Sequence, residues 1–209
     1  MSIQDAYNEW SGIYDSNTNL TRDLDAQVIR QMFGDKRFKS VLEIGCGTGK
    51  NTVFLAQIAD KVLAFDFSEG MVAQARKKVL AEHVRFEMAD ITQPWRCDDN
   101  SIDLITCNLV LEHIQNLDHI FAEAAQKLKP DGLFFINELH PFKQYSGSKA
   151  RFERGMETVE LKVFVHHVSE FINTAKVHAL RLVSFNEYWH SEDSPTNPPR
   201  LASFLFAKA

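Results

Sequence analysis

The sequence lacks several features that mark whole classes of protein. Its three cysteines, Cys46, Cys97 and Cys107, form no CxxC pair, so we predict neither a disulfide framework nor a cysteine zinc site. No run of about 18 apolar residues occurs, which argues against a membrane-spanning helix. The formal net charge is −5 and the basic clusters are short, whereas a nucleic-acid-binding protein usually carries a basic stripe.

The opening residues, MSIQDAYNEW, carry acids and no apolar segment, which is unlike a secretory signal. We therefore expect a cytoplasmic protein with reduced thiols, and neither a membrane nor a nucleic acid as partner. His166 and His167 are adjacent, and neighbouring residues of a strand point opposite ways, so no metal site is predicted. We expect these two histidines to cap a helix or lie at the surface.

What the sequence does contain is a regular alternation of strand-like and helix-like segments from Ser40 to Leu139. The strand-like segments read SVLEIG, KVLAFD, HVRFEMAD, SIDLITCNLV and LFFINEL. Strands spaced by helices form right-handed βαβ units, so we predict an α/β fold with a doubly wound, parallel sheet. Ser68 is the predicted N-cap of the helix that follows KVLAFD.

After Pro141 the alternation lapses for about 20 residues, and a predicted helix, VSEFINTAKVHAL, follows. The last two predicted strands are RLVSFNEYW and LASFLFAKA, joined only by HSEDSPTNPP. That loop has no room for a crossover helix, so these strands should pair antiparallel at one edge of the sheet. The length and pattern predict a single domain over residues 1–209.

A glycine-rich loop, VLEIGCGTGKNT at residues 41–52, follows the first strand. Such a loop faces the crevice where open α/β sheets bind ligands, and glycine lets the backbone turn sharply against a ligand. A phosphate-binding P-loop requires Ser or Thr after GK, but Asn51 follows Gly49 and Lys50 here. A dinucleotide site requires a third glycine where Lys50 stands. Both phosphate interpretations therefore fail.

The pattern present instead is ExGxGxG, formed by Glu43, Gly45, Gly47 and Gly49. With DFSEGM, MADI, DLITCNLVLEHI and LKPDGLFF following in order, it resembles the class I S-adenosylmethionine-dependent methyltransferases, in their small-molecule, methyltransferase type 11-like branch. The resemblance implies a Rossmann-like methyltransferase fold with a mostly parallel, seven-stranded sheet and an antiparallel edge strand. It also implies S-adenosylmethionine as the cofactor.

In that family an acid after the second strand bonds the ribose hydroxyls, which corresponds to Asp66. Met71 and Ile91 would face the adenine and Asp90 would accept from its amino group, while Glu43 would help to bind the ammonium. The full implied cofactor site is Tyr14, Glu43, Gly45, Cys46, Gly47, Gly49, Asp66, Phe67, Met71, Asp90, Ile91 and Asn108. Met71 is equally well explained as a core residue, and Asn108 as a helix cap.

Two further segments extend the resemblance. The opening AYNEWSGIYD is similar to the family's N-terminus, where an aromatic closes over the cofactor. Tyr14 is the predicted aromatic, with Trp10 and Tyr7 behind it; the alternative is that they only dock a helix on the core. In LKPDGLFF, Asp131 stands where glycine is common, and we expect Gly132 to hold the positive φ. The implied layout is a helical cap at 1–33, a cofactor-binding half at 40–140 and a substrate-side segment at 141–209.

For the reaction, the resemblance implies methyl transfer to a small molecule, with the acceptor atom left open. His113 and His140 are candidate general bases, although each could simply line the site. The loop NPPR at 197–200 lies too late in the chain to be the (N/D)PP(Y/F) motif of nucleic-acid amino-methyltransferases. The alternatives are a protein or nucleic-acid methyltransferase and a cofactor-binding relative without catalysis.

Overall fold

The computed structural model describes residues 2–16, 18–148, 151–154, 157–194 and 196–209, with only the backbone described at 151–154 and 157–159. The helices are α1 (Ile3–Trp10), α2 (Leu20–Phe33), α3 (Thr52–Ile58), α4 (Glu69–Lys78), α5 (Leu117–Lys127), α6 (Pro141–Tyr145) and α7 (Val168–Val177), with a 3-10 turn at Leu111–His113. The strands are β1 (Phe38–Ile44), β2 (Ala59–Asp66), β3 (Val84–Met88), β4 (Ile102–Asn108), β5 (Leu128–Leu139), β6 (Arg151–Arg154), β7 (Glu157–Glu160), β8 (Leu180–Tyr188) and β9 (Leu201–Lys208).

The main sheet has seven strands in the order β3-β2-β1-β4-β5-β9-β8. The first five strands run parallel, and β9 pairs antiparallel with both β5 and β8. The predicted doubly wound fold with an antiparallel edge is thus confirmed. Among the described residues, no helix reaches the length and apolar character needed to cross a bilayer.

Apolar clusters cover both faces of the sheet. On one face, Ile120 and Phe121 of α5 and Phe171 of α7 pack against β4, β5 and β9. On the other, α2 and α3 pack through residues such as Ile29 and Leu55. Because both faces are covered, the central strand β4 is buried at five of its seven positions, as its nearly continuous apolar sequence predicts. Ser68 is the N-cap of α4, and its hydroxyl accepts from the Met71 N–H at 3.1 Å.

The stretch after Pro141 contains more regular structure than its sequence pattern predicts. Pro141 stands in the first turn of α6, where its missing N–H costs no hydrogen bond. The strands β6 and β7 then form an antiparallel hairpin, with Arg151 opposite Glu160. The prediction of an irregular segment is therefore wrong, because strands of four residues are too short to show a clear alternation.

The expectation that Gly132 holds a positive φ is also wrong. Asp131 adopts φ +62° instead, a conformation that Asp tolerates better than most residues. At Gly132 a Cβ would lie 2.8 Å from the Lys129 carbonyl oxygen and 3.1 Å from that of Ile102. The glycine is needed there for close backbone approach, not for its φ.

Candidate functional site

A cleft of about 330 Å³ opens at the carboxyl ends of β1, β2 and β4. Of the residues predicted to bind cofactor, those that line this cleft are Tyr14, Glu43, Gly45, Cys46, Gly47, Asp66, Phe67, Met71, Asp90, Ile91 and Asn108. Gly49 lies outside the lining. Of the two candidate bases, His113 lines the cleft and His140 does not.

The three glycines of the loop after β1 have positive φ values and three different surroundings. A Cβ at Gly45 would lie 2.1 Å from Val110 Cγ2, so the loop interlocks there with the segment after β4. A Cβ at Gly49 would press on Ala75 of α4, at 3.2 Å, which makes this glycine a packing residue. At Gly47 a Cβ would meet no atom within 4 Å. Bare backbone therefore faces the cleft at Gly47.

Asp66, at the end of β2, connects this loop to α4. Its Oδ2 accepts from the Gly47 N–H at 2.8 Å and its Oδ1 from the Ser68 N–H at 2.9 Å. Burial raises the pKa of Asp66 to about 6, against the opposing effect of these backbone hydrogen bonds. Each carboxylate oxygen keeps a lone pair for a ligand. Asp66 is thus a fixed acceptor beside the exposed backbone of Gly47.

The far end of the cleft combines apolar faces with an exposed acid. Met71 and Ile91 are 1% and 6% exposed, respectively, and both contribute to the lining. Asp90 is exposed, and its Oδ1 accepts from the backbone N–H and the hydroxyl of Thr92, at 2.9 and 2.7 Å. Met71 is therefore both a core residue and a wall of the cleft.

Asp25 of α2 is a cleft residue that the sequence motifs did not identify. Its Oδ1 accepts from the side-chain amides of Asn108 at 2.5 Å and Asn137 at 2.6 Å, and its Oδ2 accepts from Asn51 at 2.7 Å. Burial raises the pKa of the Asp25 carboxyl although all three hydrogen bonds oppose it. The available signal was an acid on the predominantly apolar buried face of α2, four residues before Ile29.

Two other acids are buried near the floor of the cleft. The Glu43 Oε2 accepts from the Thr52 hydroxyl at 2.5 Å, and burial raises the pKa of Glu43 to about 8. Glu138 accepts from the N–H groups of Val110 and Leu111, each at 2.9 Å, and burial raises its pKa to about 8 as well. Glu138 therefore anchors the 3-10 turn that carries His113.

His113 is fixed through both ring nitrogens. Its Nδ1 lies 3.3 Å from the Lys162 carbonyl oxygen, and its Nε2 lies 2.8 Å from the Tyr7 hydroxyl. Because a carbonyl can only accept, Nδ1 carries the proton and Nε2 accepts from Tyr7. Burial lowers the pKa of His113, which favours the neutral imidazole with Nε2 as an acceptor.

Both ring nitrogens of His140 form hydrogen bonds outside the cleft. Its Nδ1 accepts from the Phe142 N–H at 3.1 Å, which caps α6, and its Nε2 then donates to Glu187 at 2.9 Å. Likewise, His166 bonds the Ile114 carbonyl oxygen at 2.7 Å. Arg200 of the NPPR loop forms an ion pair with Asp193. These side chains support the fold around the substrate-side segment.

The N-terminal helix α1 closes one side of the cleft. The Asn8 Oδ1 accepts from the Ser68 hydroxyl at 2.7 Å and from the Gly70 N–H at 3.1 Å. The Tyr14 ring lies edge-on to Trp10, with centroids 4.7 Å apart, and beneath the Arg22 guanidinium at 4.0 Å. Tyr14 both docks the N-terminal segment and lines the cleft.

Comparison with known proteins agrees with this geometry. Residues 42–136 match the family described as "Methyltransferase domain". The chain is 26% identical over 77% of its length to the malonyl-[acyl-carrier protein] O-methyltransferase of Bacillus cereus, of which it covers 60%. It is 32% identical over 49% of its length to the ubiquinone biosynthesis O-methyltransferase of Glaesserella parasuis, of which it covers 46%.

Among solved structures, an S-adenosylmethionine-dependent methyltransferase from Clostridium acetobutylicum superposes with a TM-score of 0.72 at 18% identity, covering 98% of this chain and 99% of that one. This likeness concerns the fold alone. The chain spans 46% to 60% of the length of these two curated relatives, so it matches a part of each. The matched domain, the ordered motifs and the sheet together support a class I S-adenosylmethionine-dependent methyltransferase.

Proposed function

We propose that the chain transfers the methyl group of S-adenosylmethionine to a small-molecule acceptor. The observation that carries this proposal is the Asp66 carboxylate beside the bare backbone of Gly47, 2.8 Å apart. A ribose diol requires one carboxylate that accepts two hydrogen bonds, and Asp66 retains lone pairs for both. The loop also lacks the P-loop and dinucleotide glycine patterns.

The remaining lining residues fit the other parts of this cofactor. Met71 and Ile91 offer apolar faces to the adenine, and Asp90 offers an acceptor at the exposed rim. In this proposal, residues 40–140 hold the cofactor, and residues 1–33 and 141–209 supply the acceptor side of a single domain. The small-molecule class is supported by the name of the relative from Glaesserella parasuis, which refers to ubiquinone biosynthesis.

The cofactor supplies an activated methyl group on a sulfonium, so the chain's own residues mainly position the acceptor and exclude water. Positioning of this kind can lower a barrier by roughly 7–11 kcal/mol. His113 is the proposed base for a hydroxyl acceptor, because its neutral Nε2 is an acceptor at the cleft wall. The acceptor hydroxyl would replace the Tyr7 hydroxyl at that nitrogen. We do not assign this role to His140, whose ring nitrogens cap α6 and bond Glu187.

Two measurements test the proposal. Calorimetry with S-adenosylmethionine and with NAD should give binding for the first ligand and none for the second, and Asp66→Asn should lose that binding. Incubation with the methyl-labelled cofactor and separate pools of small metabolites, proteins and nucleic acids should label a small molecule. Label only in macromolecules would support the alternative class of acceptor, and binding without labelling would support a non-catalytic relative.

A further inference from the structure

The carboxylate of Asp25 is buried, and the groups that donate hydrogen bonds to it carry no positive charge. Its three hydrogen-bond donors are the neutral side-chain amides of Asn51, Asn108 and Asn137. Amide donors satisfy the oxygen lone pairs but leave the full negative charge, and a buried charge is costly unless it is paired. Lys50, the lysine that acts on Asp25 electrostatically, lies 2.5 Å from Asp23 instead.

The hydrogen bonds to Asp25 leave one lone pair of its carboxylate without a donor. Oδ1 accepts two amides and Oδ2 accepts one, so a lone pair of Oδ2 remains. The carboxylate lines the cleft, as do Asn51 and Asn108. The Oδ1 of Asn51 is itself buried and has no hydrogen-bond partner among the described residues. Two acceptors, one charged and one neutral, are therefore provided at the same part of the cleft.

Glu43, the acid that the family resemblance associates with the cofactor's ammonium, is less suited to that contact. Its Oε2 is occupied by the Thr52 hydroxyl. Burial raises its pKa to about 8, and the nearby Asp25 charge acts in the same direction. Three amide donors stabilise the ionised form of Asp25, whereas a single hydroxyl donor does so at Glu43, so Asp25 is the better anion of the two for a cationic ligand.

We infer that Asp25, helped by the Asn51 side-chain oxygen, binds the α-ammonium group of the amino-acid end of the cofactor. The inference rests on the proposed function, since it assumes an adenosyl ligand with an amino-acid end. The ligand's ammonium supplies the positive charge that the three amides cannot. Because the amides come from the loop after β1, from β4 and from β5, they hold the carboxylate in one orientation before the ligand arrives.

Three ligands separate this contact from the rest of the site. S-adenosylhomocysteine carries the ammonium, its deaminated analogue keeps the carboxylate but lacks the nitrogen, and 5′-methylthioadenosine lacks the whole amino-acid end. Calorimetry at pH 7.5 should give the wild-type protein at least about a tenfold preference for S-adenosylhomocysteine over the deaminated analogue, because a hydrogen bond to a charged group is lost. Asp25→Asn should abolish that preference while leaving the affinity for the other two ligands within about twofold.

The matched control is Asp103→Asn, which neutralises a hydrogen-bonded carboxylate at the other end of β4, bound to Ser40 and Lys129. It should keep the wild-type preference. If circular dichroism shows that Asp25→Asn does not fold, Asn51→Leu removes one acceptor and one amide, and it should reduce the preference selectively.

The remaining outcomes are distinct. Equal weakening of all three ligands in the folded variant, or an unchanged preference, would overturn the role of Asp25. A wild-type protein that binds S-adenosylhomocysteine and its deaminated analogue equally well would also overturn it. A wild-type protein that binds none of the three ligands would instead contradict the proposed function.

Discussion

Glu43→Gln should make the protein more stable at alkaline pH. Burial raises the pKa of the Glu43 carboxyl from 4.5 to about 8. Between these values the folded protein retains a proton that the unfolded chain has released, so stability falls as pH rises. At about 1.4 kcal/mol for each pKa unit, the loss amounts to roughly 5 kcal/mol once the pH exceeds 8. Glutamine does not titrate, and its side-chain oxygen can still accept from the Thr52 hydroxyl.

The assay is urea unfolding followed by circular dichroism at pH 5, 6, 7 and 8.5. The stability difference between Glu43→Gln and wild type should grow with pH and reach a few kcal/mol at pH 8.5. Glu138 contributes equally to both proteins and cancels from the difference. Glu82→Gln, at an exposed position, is the control and should follow the wild-type pH dependence. Parallel curves for Glu43→Gln and wild type would refute the reasoning.

Three further predictions concern ligand binding. Gly47→Ala should fold with a loss of about 1–2 kcal/mol from its positive φ, but its methyl group should weaken S-adenosylhomocysteine binding; unchanged calorimetry would contradict this. Affinity for the same ligand should fall as pH drops from 7 to 5, because Asp66, with a pKa of about 6, becomes protonated; a flat profile would count against Asp66. Deleting residues 1–15 should weaken binding sharply by removing Tyr7 and Tyr14 from the lining, and an unchanged dissociation constant would exclude a lid.

The parallel half of the fold could be predicted from sequence because its strand-like segments, whether apolar runs or a period-two pattern as in β3, alternate with helix-like segments. The position of β9 between β5 and β8 could not be predicted. The short connection between the last two strands predicts that they pair antiparallel, but it does not indicate which of them lies next to β5. The hairpin formed by β6 and β7 was missed for a different reason. Its strands are too short to show the alternation that distinguishes a strand from a loop.

The candidate site divides in the same way. Asp66 and Gly47 lie in motifs at the ends of their own strands, so their position in the cleft could be predicted from sequence. Asp25 reaches the cleft through contacts with Asn108 and Asn137, which follow it by 83 and 112 residues. His140 shows the opposite situation: it follows the end of β5, on the ligand side of the sheet, but its ring caps α6 and does not line the cleft.

The position of β9 also affects how the protein is made. β5 and β8 bond to β9 on either side, so neither strand has its full set of backbone partners until residues 201–208 have left the ribosome. Domains can fold as units during synthesis, and here the strands from β1 to β4 can pair with one another earlier because none of them bonds to β9. During translation, the apolar face of α7 has no completed sheet to cover it. A chaperone that holds this face until β9 emerges would be expected to raise the yield of folded protein.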